Sequence, residues 1–125
     1  MFDYAAERGK PERLEKMKPV LDRIPPMWGD YLPEIGWDDL LLELDAKLAA
    51  IDPGYVVYQA KQKFGGLRYY TAHSEDFEGD QTTFSFLIAE AESRSATVCE
   101  ICGGAATRRS GSWIMVLCDD HANKQ

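Results

Sequence analysis

Cys99-Glu100-Ile101-Cys102 and Cys118-Asp119-Asp120-His121 are separated by fifteen residues, and together they use every cysteine and one of the only two histidines in the chain. Two cysteines two apart can turn both sulfurs toward one point. A second pair at this spacing closes a tetrahedral shell, so Cys99, Cys102, Cys118 and His121 are expected to bind Zn. Four protein ligands leave no open position for water or substrate, which gives the metal an organising role. The plainer alternative is a set of small buried thiols packing as modest hydrophobes. Three cysteines cannot all form disulfides within one chain, and no signal-peptide pattern opens the sequence, so the expected setting is a reducing cytoplasm.

At 125 residues the chain has the length of a single domain spanning 1-125. Its apolar content is 45%, with no apolar run long enough for a membrane span. The formal net charge is -7, and three thiolates with one dication would lower it further. An acidic protein repels phosphate backbones at long range, which argues against nucleic-acid binding as the first expectation. The charge is also unevenly placed. Acids dominate 28–53 and 74–92, whereas 54–73 holds Lys61, Lys63 and Arg68 and no acid. The result is a basic island in an acidic chain.

The expected fold is α+β: a helix, a β-hairpin and a second helix, then a C-terminal treble-clef-like zinc knuckle. Residues 1-36 read as an irregular extension with one short helix, begun by Pro11 and carrying Leu14, Met17 and Leu21. Prolines at 25, 26 and 33 exclude a regular helix across that stretch, leaving Trp28, Tyr31 and Leu32 as a recognition loop or a cover for the core. In the 37-96 core, Trp37, Leu40, Leu41, Leu44, Leu48 and Ile51 share one helical face, with Asp38 placed to cap and Trp37 and Leu42 to staple. The acids of this helix are expected on a solvated face. Asp52-Pro53-Gly54 ends it.

Tyr55 to Ala72 predicts a hairpin turning at Gly65-Gly66, with Phe64 opposite Leu67 and Lys63 opposite Arg68. Alternation then places Val56, Tyr58, Ala60, Phe64, Leu67 and Tyr69 on a core face. Gln59, Lys61, Lys63, Arg68 and Tyr70 fall on the outer face. A helix from about Gln81 to Ser95 follows, laying Phe84, Leu87, Ile88 and Ala91 on the hairpin. In the 97-125 segment the first knuckle leads through Arg108, Arg109 and a Ser110-Gly111 turn to a short hairpin around Trp113 to Leu117. Cys118 and His121 then begin a last helical turn.

The run Gln59-Ala60-Lys61-Gln62-Lys63-Phe64-Gly65-Gly66-Leu67-Arg68-Tyr69-Tyr70 comes after the Trp37 helix and before Ser95, Cys-x2-Cys-Gly, Trp113 and Leu-Cys-x2-His. This pattern resembles a group of small uncharacterised proteins of bacteria and their phages, over roughly residues 35 to 122. The resemblance implies an architecture and a mobile-element setting, with a host defence component as a conjectured partner.

Zinc deaminases place a non-ligand glutamate beside the histidine and ahead of the cysteine pair. Here His121 follows the cysteines and is succeeded by Ala122-Asn123, so that chemistry fails on order and on the missing acid. Once His121 is assigned to the metal, His73 alone remains, too few for the usual base plus ligand of a metal-dependent nuclease. The expectation is therefore a non-enzymatic protein-interaction module. Lys61, Lys63, Arg68 and Tyr70 are its candidate partner-binding residues, and a nucleic-acid-binding module using the same hairpin is the alternative. Against both stands a structural reading, in which those cations neutralise Asp38, Asp45, Glu90 or Glu92. It suits Arg68 better than the two lysines.

Overall fold

A computed structural model of the chain describes residues 10–25, 32–111 and 113–123. Its main core forms around helix α3 (Asp38–Ile51), with Leu40, Leu41, Leu44 and Leu48 buried at helical spacing. A 3-10 turn, Ile35–Trp37, leads into it and buries Trp37, whose indole N–H donates to the Val98 carbonyl at 2.8 Å. Asp38 is not a cap. Its carboxylate is turned inward, where the Arg13 Nε and Nη2 donate to it at 3.1 and 2.7 Å. Asp45, also buried, takes the Arg23 Nε at 2.6 Å, so only part of the helix's acidic set is solvated.

Arg13 comes from the short helix α1 (Pro11–Lys16) and Arg23 from the turn after a second, α2 (Lys18–Leu21). The single short helix begun by Pro11 is thus two. Met17, Val20 and Ile24 from this region are buried in the main core beside α3. Arg23 also donates to the carbonyls of Pro53 and Tyr55, and its guanidinium lies 4.1 Å from the Tyr55 ring centroid. The Tyr55 hydroxyl donates to Asp45 at 2.6 Å and meets the Tyr69 hydroxyl at 2.8 Å. Burial pushes both phenols well above their ordinary range. This polar chain ties the N-terminal segment, α3 and the hairpin together. Trp28 and Tyr31 lie outside the described residues.

Strands β1 (Val56–Lys63) and β2 (Gly66–Ala72) form a two-stranded antiparallel sheet. The turn is Phe64-Gly65 rather than Gly65-Gly66: Lys63 pairs with Gly66, Gln62 with Leu67, Lys61 with Arg68 and Gln59 with Tyr70. Phe64 and Gly65 both have positive φ, 54° and 80°, as a two-residue primed turn requires. Moving the turn by one residue moves each pairing by two, so the faces survive from Ala60 to Lys63, while Phe64 leaves the core and is 66% exposed. An irregularity between Val57 and Gln59 then swaps the faces at the start of β1. Val57 is buried in place of Val56, and Tyr58 is 42% exposed.

Helix α4 (Gln81–Ser95) is capped by Asp80, which accepts from the Thr83 N–H and hydroxyl at 3.0 and 2.6 Å. Phe84 and Ala91 are buried on the main core, with Leu87 and Ile88 partly buried beside them. The helix also closes the outer edge of β2. The Leu67 N–H donates to the Ser95 hydroxyl and the Tyr69 N–H to the Glu92 carboxylate, both at 2.9 Å. Strands β3 (Thr107–Arg109) and β4 (Met115–Leu117) make a second antiparallel pair, and α5 (Asp119–Ala122) ends the described chain. Among the described residues no helix is long and apolar enough to cross a membrane.

Candidate metal centre

Cys99 to Gly104 forms a tight knuckle. The Gly103 N–H donates to the Cys99 carbonyl at 2.9 Å and the Cys99 N–H to the Gly104 carbonyl at 2.8 Å, with Gly103 at a φ of +79°. That fold-back turns two further amides onto sulfur: Ile101 N to Cys99 Sγ and Gly104 N to Cys102 Sγ, each at 3.4 Å. Strands β3 and β4 return the chain to Cys118, which precedes α5. One turn of that helix carries His121 round to the sulfurs.

The ligand atoms of Cys99, Cys102, Cys118 and His121 all lie within 4.8 Å of one another. Cys102 Sγ and Cys118 Sγ are 3.9 Å apart, and the His121 Nδ1 is 3.7 Å from Cys99 Sγ and 3.1 Å from Cys118 Sγ. A tetrahedral ion with metal–sulfur bonds of about 2.3 Å needs sulfur–sulfur edges of about 3.8 Å and slightly shorter sulfur–nitrogen edges. The cluster therefore has the dimensions of a four-coordinate site. The donor set, three sulfurs and one imidazole, suits a borderline-soft dication.

The two thiols of the first knuckle differ in their electrostatics. Burial pushes the Cys99 thiol up, but hydrogen bonds from the backbone of Cys118, Cys102 and Ile101 outweigh it and hold the thiol below its ordinary value. At Cys102 the Gly104 N–H pulls down, while burial and the sulfurs of Cys99 and Cys118 push up and prevail. Charge on the Cys99 sulfur opposes ionisation of Cys102. A dication among the sulfurs reverses the balance and takes them as thiolates.

The metal segment is tied to the main core by close backbone contact. The Gly36 N–H donates to the Glu100 carbonyl at 2.7 Å, and a Cβ at Gly36 would sit 2.1 Å from the Cys99 carbonyl oxygen, so only glycine fits. Glu100 is buried. Its carboxylate accepts from the Val116 N–H at 2.6 Å and from the Gln62 side-chain amide at 3.1 Å, and the same amide also donates to the Ile114 carbonyl. Burial raises the Glu100 carboxyl, the Val116 and Gln62 bonds oppose that, and the Glu34 charge adds to it. Gln62, on the inner face of the hairpin, is a joint that spacing alone did not reveal.

The hairpin residues do meet on one outer face. Lys61 is opposite Arg68, its Nζ 5.8 Å from the ring centroid of Tyr70, which is 43% exposed. Lys63 Nζ lies 5.8 Å from the Phe64 ring, and Arg68 Nη1 donates to the Leu67 carbonyl. The acids expected to neutralise these cations are engaged elsewhere: Asp38 by Arg13, Asp45 by Arg23, Glu90 by Lys47 and Glu92 by the Tyr69 N–H. Lys16, Lys18, Arg94 and Arg109 also lie against carboxylates. Among the described residues, Lys61, Lys63, Arg68 and Arg108 are not within ion-pair distance of any.

Arg108 and Arg109, adjacent in β3, part company. Arg109 pairs with Asp119 at 2.8 Å, whereas the Arg108 Nε donates to the Phe64 carbonyl at 2.9 Å and joins the hairpin tip. Trp113, 78% exposed, and Lys61 line one cleft of about 270 Å³, together with Leu32, Glu34, Glu100 and Met115. His73 is fully engaged. Its Nδ1 is 3.0 Å from Asp52, its Nε2 meets the Gln81 side chain, and its ring stacks on Phe77 at 3.9 Å. No family model, curated protein or solved structure matches the chain.

Proposed function

We propose that the chain is a non-enzymatic, zinc-stabilised module that binds another protein through the outer face of its hairpin, with Lys61, Lys63, Arg68 and Tyr70 as contact residues. In this reading the C-terminal segment is treble-clef-like: a knuckle, a short hairpin and two ligands at a helix start. Zinc, held by Cys99, Cys102, Cys118 and His121, supplies folding free energy to a segment whose own buried cluster is small: Cys99, Ile101, Met115 and Leu117. A reducing cytoplasm suits a site built on three thiolates.

The observation that carries the contact surface is the charge arrangement. In an acidic chain whose other described cations are largely paired with carboxylates, the hairpin cations stand unpaired beside an exposed tyrosine. The test is a Lys61→Ala, Lys63→Ala, Tyr70→Ala variant compared with wild type for melting temperature and partner capture from a native host extract. Unchanged melting with lost capture is the expected result. Normal capture would move the contact surface elsewhere.

One observation favours the nucleic-acid reading: Phe64, Tyr70 and Trp113 are exposed among the same cations, as a base-stacking surface requires. Under the protein-binding reading, retention of single-stranded oligonucleotides is weak and falls steeply with salt.

A further inference from the structure

The tip of the hairpin is built so that two arginines can cross it. A Cβ at Gly65 would lie 2.9 Å from both Cγ and Cδ of Arg108, and one at Gly66 would lie 3.1 Å from Arg68 Nη1. Adjacent Cα atoms are about 3.8 Å apart, so the two side chains pass over neighbouring positions, where a Cβ at Gly65 would overlap Arg108 and one at Gly66 would crowd Arg68. One arginine belongs to β2 and the other to the metal-organised segment. Each fixes its guanidinium by a single bond to a main-chain carbonyl, Arg68 to Leu67 at 3.1 Å and Arg108 to Phe64 at 2.9 Å. A guanidinium has five N–H donors, so most of each fork remains available.

We propose that Arg68 and Arg108 form a paired guanidinium site over Gly65 and Gly66 at the hairpin tip that receives carboxylates from an acidic segment of a partner protein, flanked by Lys61 and Lys63. This rests on the hairpin as a protein-contact surface and names the chemistry of what it contacts. Planar forks held by backbone carbonyls match carboxylates in a bidentate manner that point charges cannot. Cations without a carboxylate partner favour an acidic ligand, and net charge weighs against a duplex. A chain at -7 is repelled by a duplex carrying a charge about every 1.7 Å, and far less by a short segment with a few carboxylates. Because Arg108 arrives on the metal segment, the site is complete only when that segment is folded.

The experiment measures binding of a short fluorescent oligo-glutamate peptide, and of a single-stranded oligonucleotide of similar length, to the full zinc-loaded chain at low and physiological salt. Arg68→Lys and Arg108→Lys, singly and together, keep the charge and remove the fork. The expected result is peptide binding that weakens about tenfold or more in the double variant, with zinc content and melting temperature at wild-type values. Each single variant should lie between. If the lysine variants bind as wild type while Lys61→Ala with Lys63→Ala weakens binding, the fork is overturned and the basic face stands. If wild type prefers the oligonucleotide, the partner class is overturned. If it binds neither probe, the fork and the contact surface fall together.

Discussion

Replacing Arg13 by methionine tests whether the N-terminal helices belong to the core. Arg13 and Asp38 side chains are 3% and 1% exposed, joined at 2.7 Å, and Arg13 also donates to the Pro33 carbonyl at 2.6 Å. Methionine fills most of the arginine's volume, so the cost is mainly that of a buried carboxylate left without its counter-ion, about 3 to 5 kcal/mol. A domain of this size is stable by about 5 to 15 kcal/mol, so the midpoint of urea unfolding should fall by roughly a fifth or more at an unchanged slope. Melting should drop by about 10 to 20 °C. Adding Asp38→Leu removes the stranded charge and should recover most of the loss, because an apolar pair replaces a buried ion pair at little net cost. A single variant within about 1 kcal/mol of wild type, comparable to a surface ion pair, would refute the argument, as would a double variant equal to the sum of the two singles.

Gly36→Ala should separate the metal segment from the core, because its Cβ would overlap the Cys99 carbonyl at 2.1 Å; the expected loss is about 2 to 5 kcal/mol with weakened zinc retention, read by denaturation and competition with a chelator. Phe64 holds a left-handed φ of 54° while exposed, so Phe64→Asn should raise stability by about 0.5 to 1 kcal/mol, whereas Leu67→Ala, fully buried, should cost about 2 to 5 kcal/mol through a cavity; thermal melts of the two variants decide it. Asp52 is buried, and that burial pushes its carboxyl up, but bonds from the Ser74 hydroxyl and N–H and from His73 outweigh it and hold the carboxyl below its ordinary value. A depressed folded value means this stabilisation is complete above the unfolded carboxyl's range near pH 4 and disappears as pH falls through the folded value. Asp52→Asn should therefore flatten the acid limb of a stability-against-pH curve, and an unchanged limb would remove Asp52 from the account.

The parts of the fold legible in the sequence were those with local physical signatures. Helix α3 announces itself by Leu40, Leu41, Leu44 and Leu48 at helical spacing, and α4 by Phe84, Leu87, Ile88 and Ala91. The four metal-cluster residues were legible because ligand spacing is itself a geometric constraint. Long-range choices were not. Nothing local distinguishes Asp38 and Asp45, buried against arginines 25 and 22 residues away, from the solvated acids around them. The turn was misplaced by one residue because Gly65-Gly66 satisfies local turn chemistry as well as Phe64-Gly65 does. In the folded chain Arg108 lies across Gly65 and holds the Phe64 carbonyl, a contact 44 residues distant that no local rule contains. The swap of faces at Val57 has the same character, since strict alternation has no place for an irregularity that hydrophobic pattern does not mark.

The most direct test of the central claim is the metal content of protein purified without added zinc, measured by mass spectrometry on wild type and on a Cys102→Ser, Cys118→Ser double variant. A cluster with four ligand atoms within 4.8 Å predicts one zinc per wild-type chain and almost none in the variant. A stoichiometry near zero in wild type, or the same zinc content in both proteins, would contradict it.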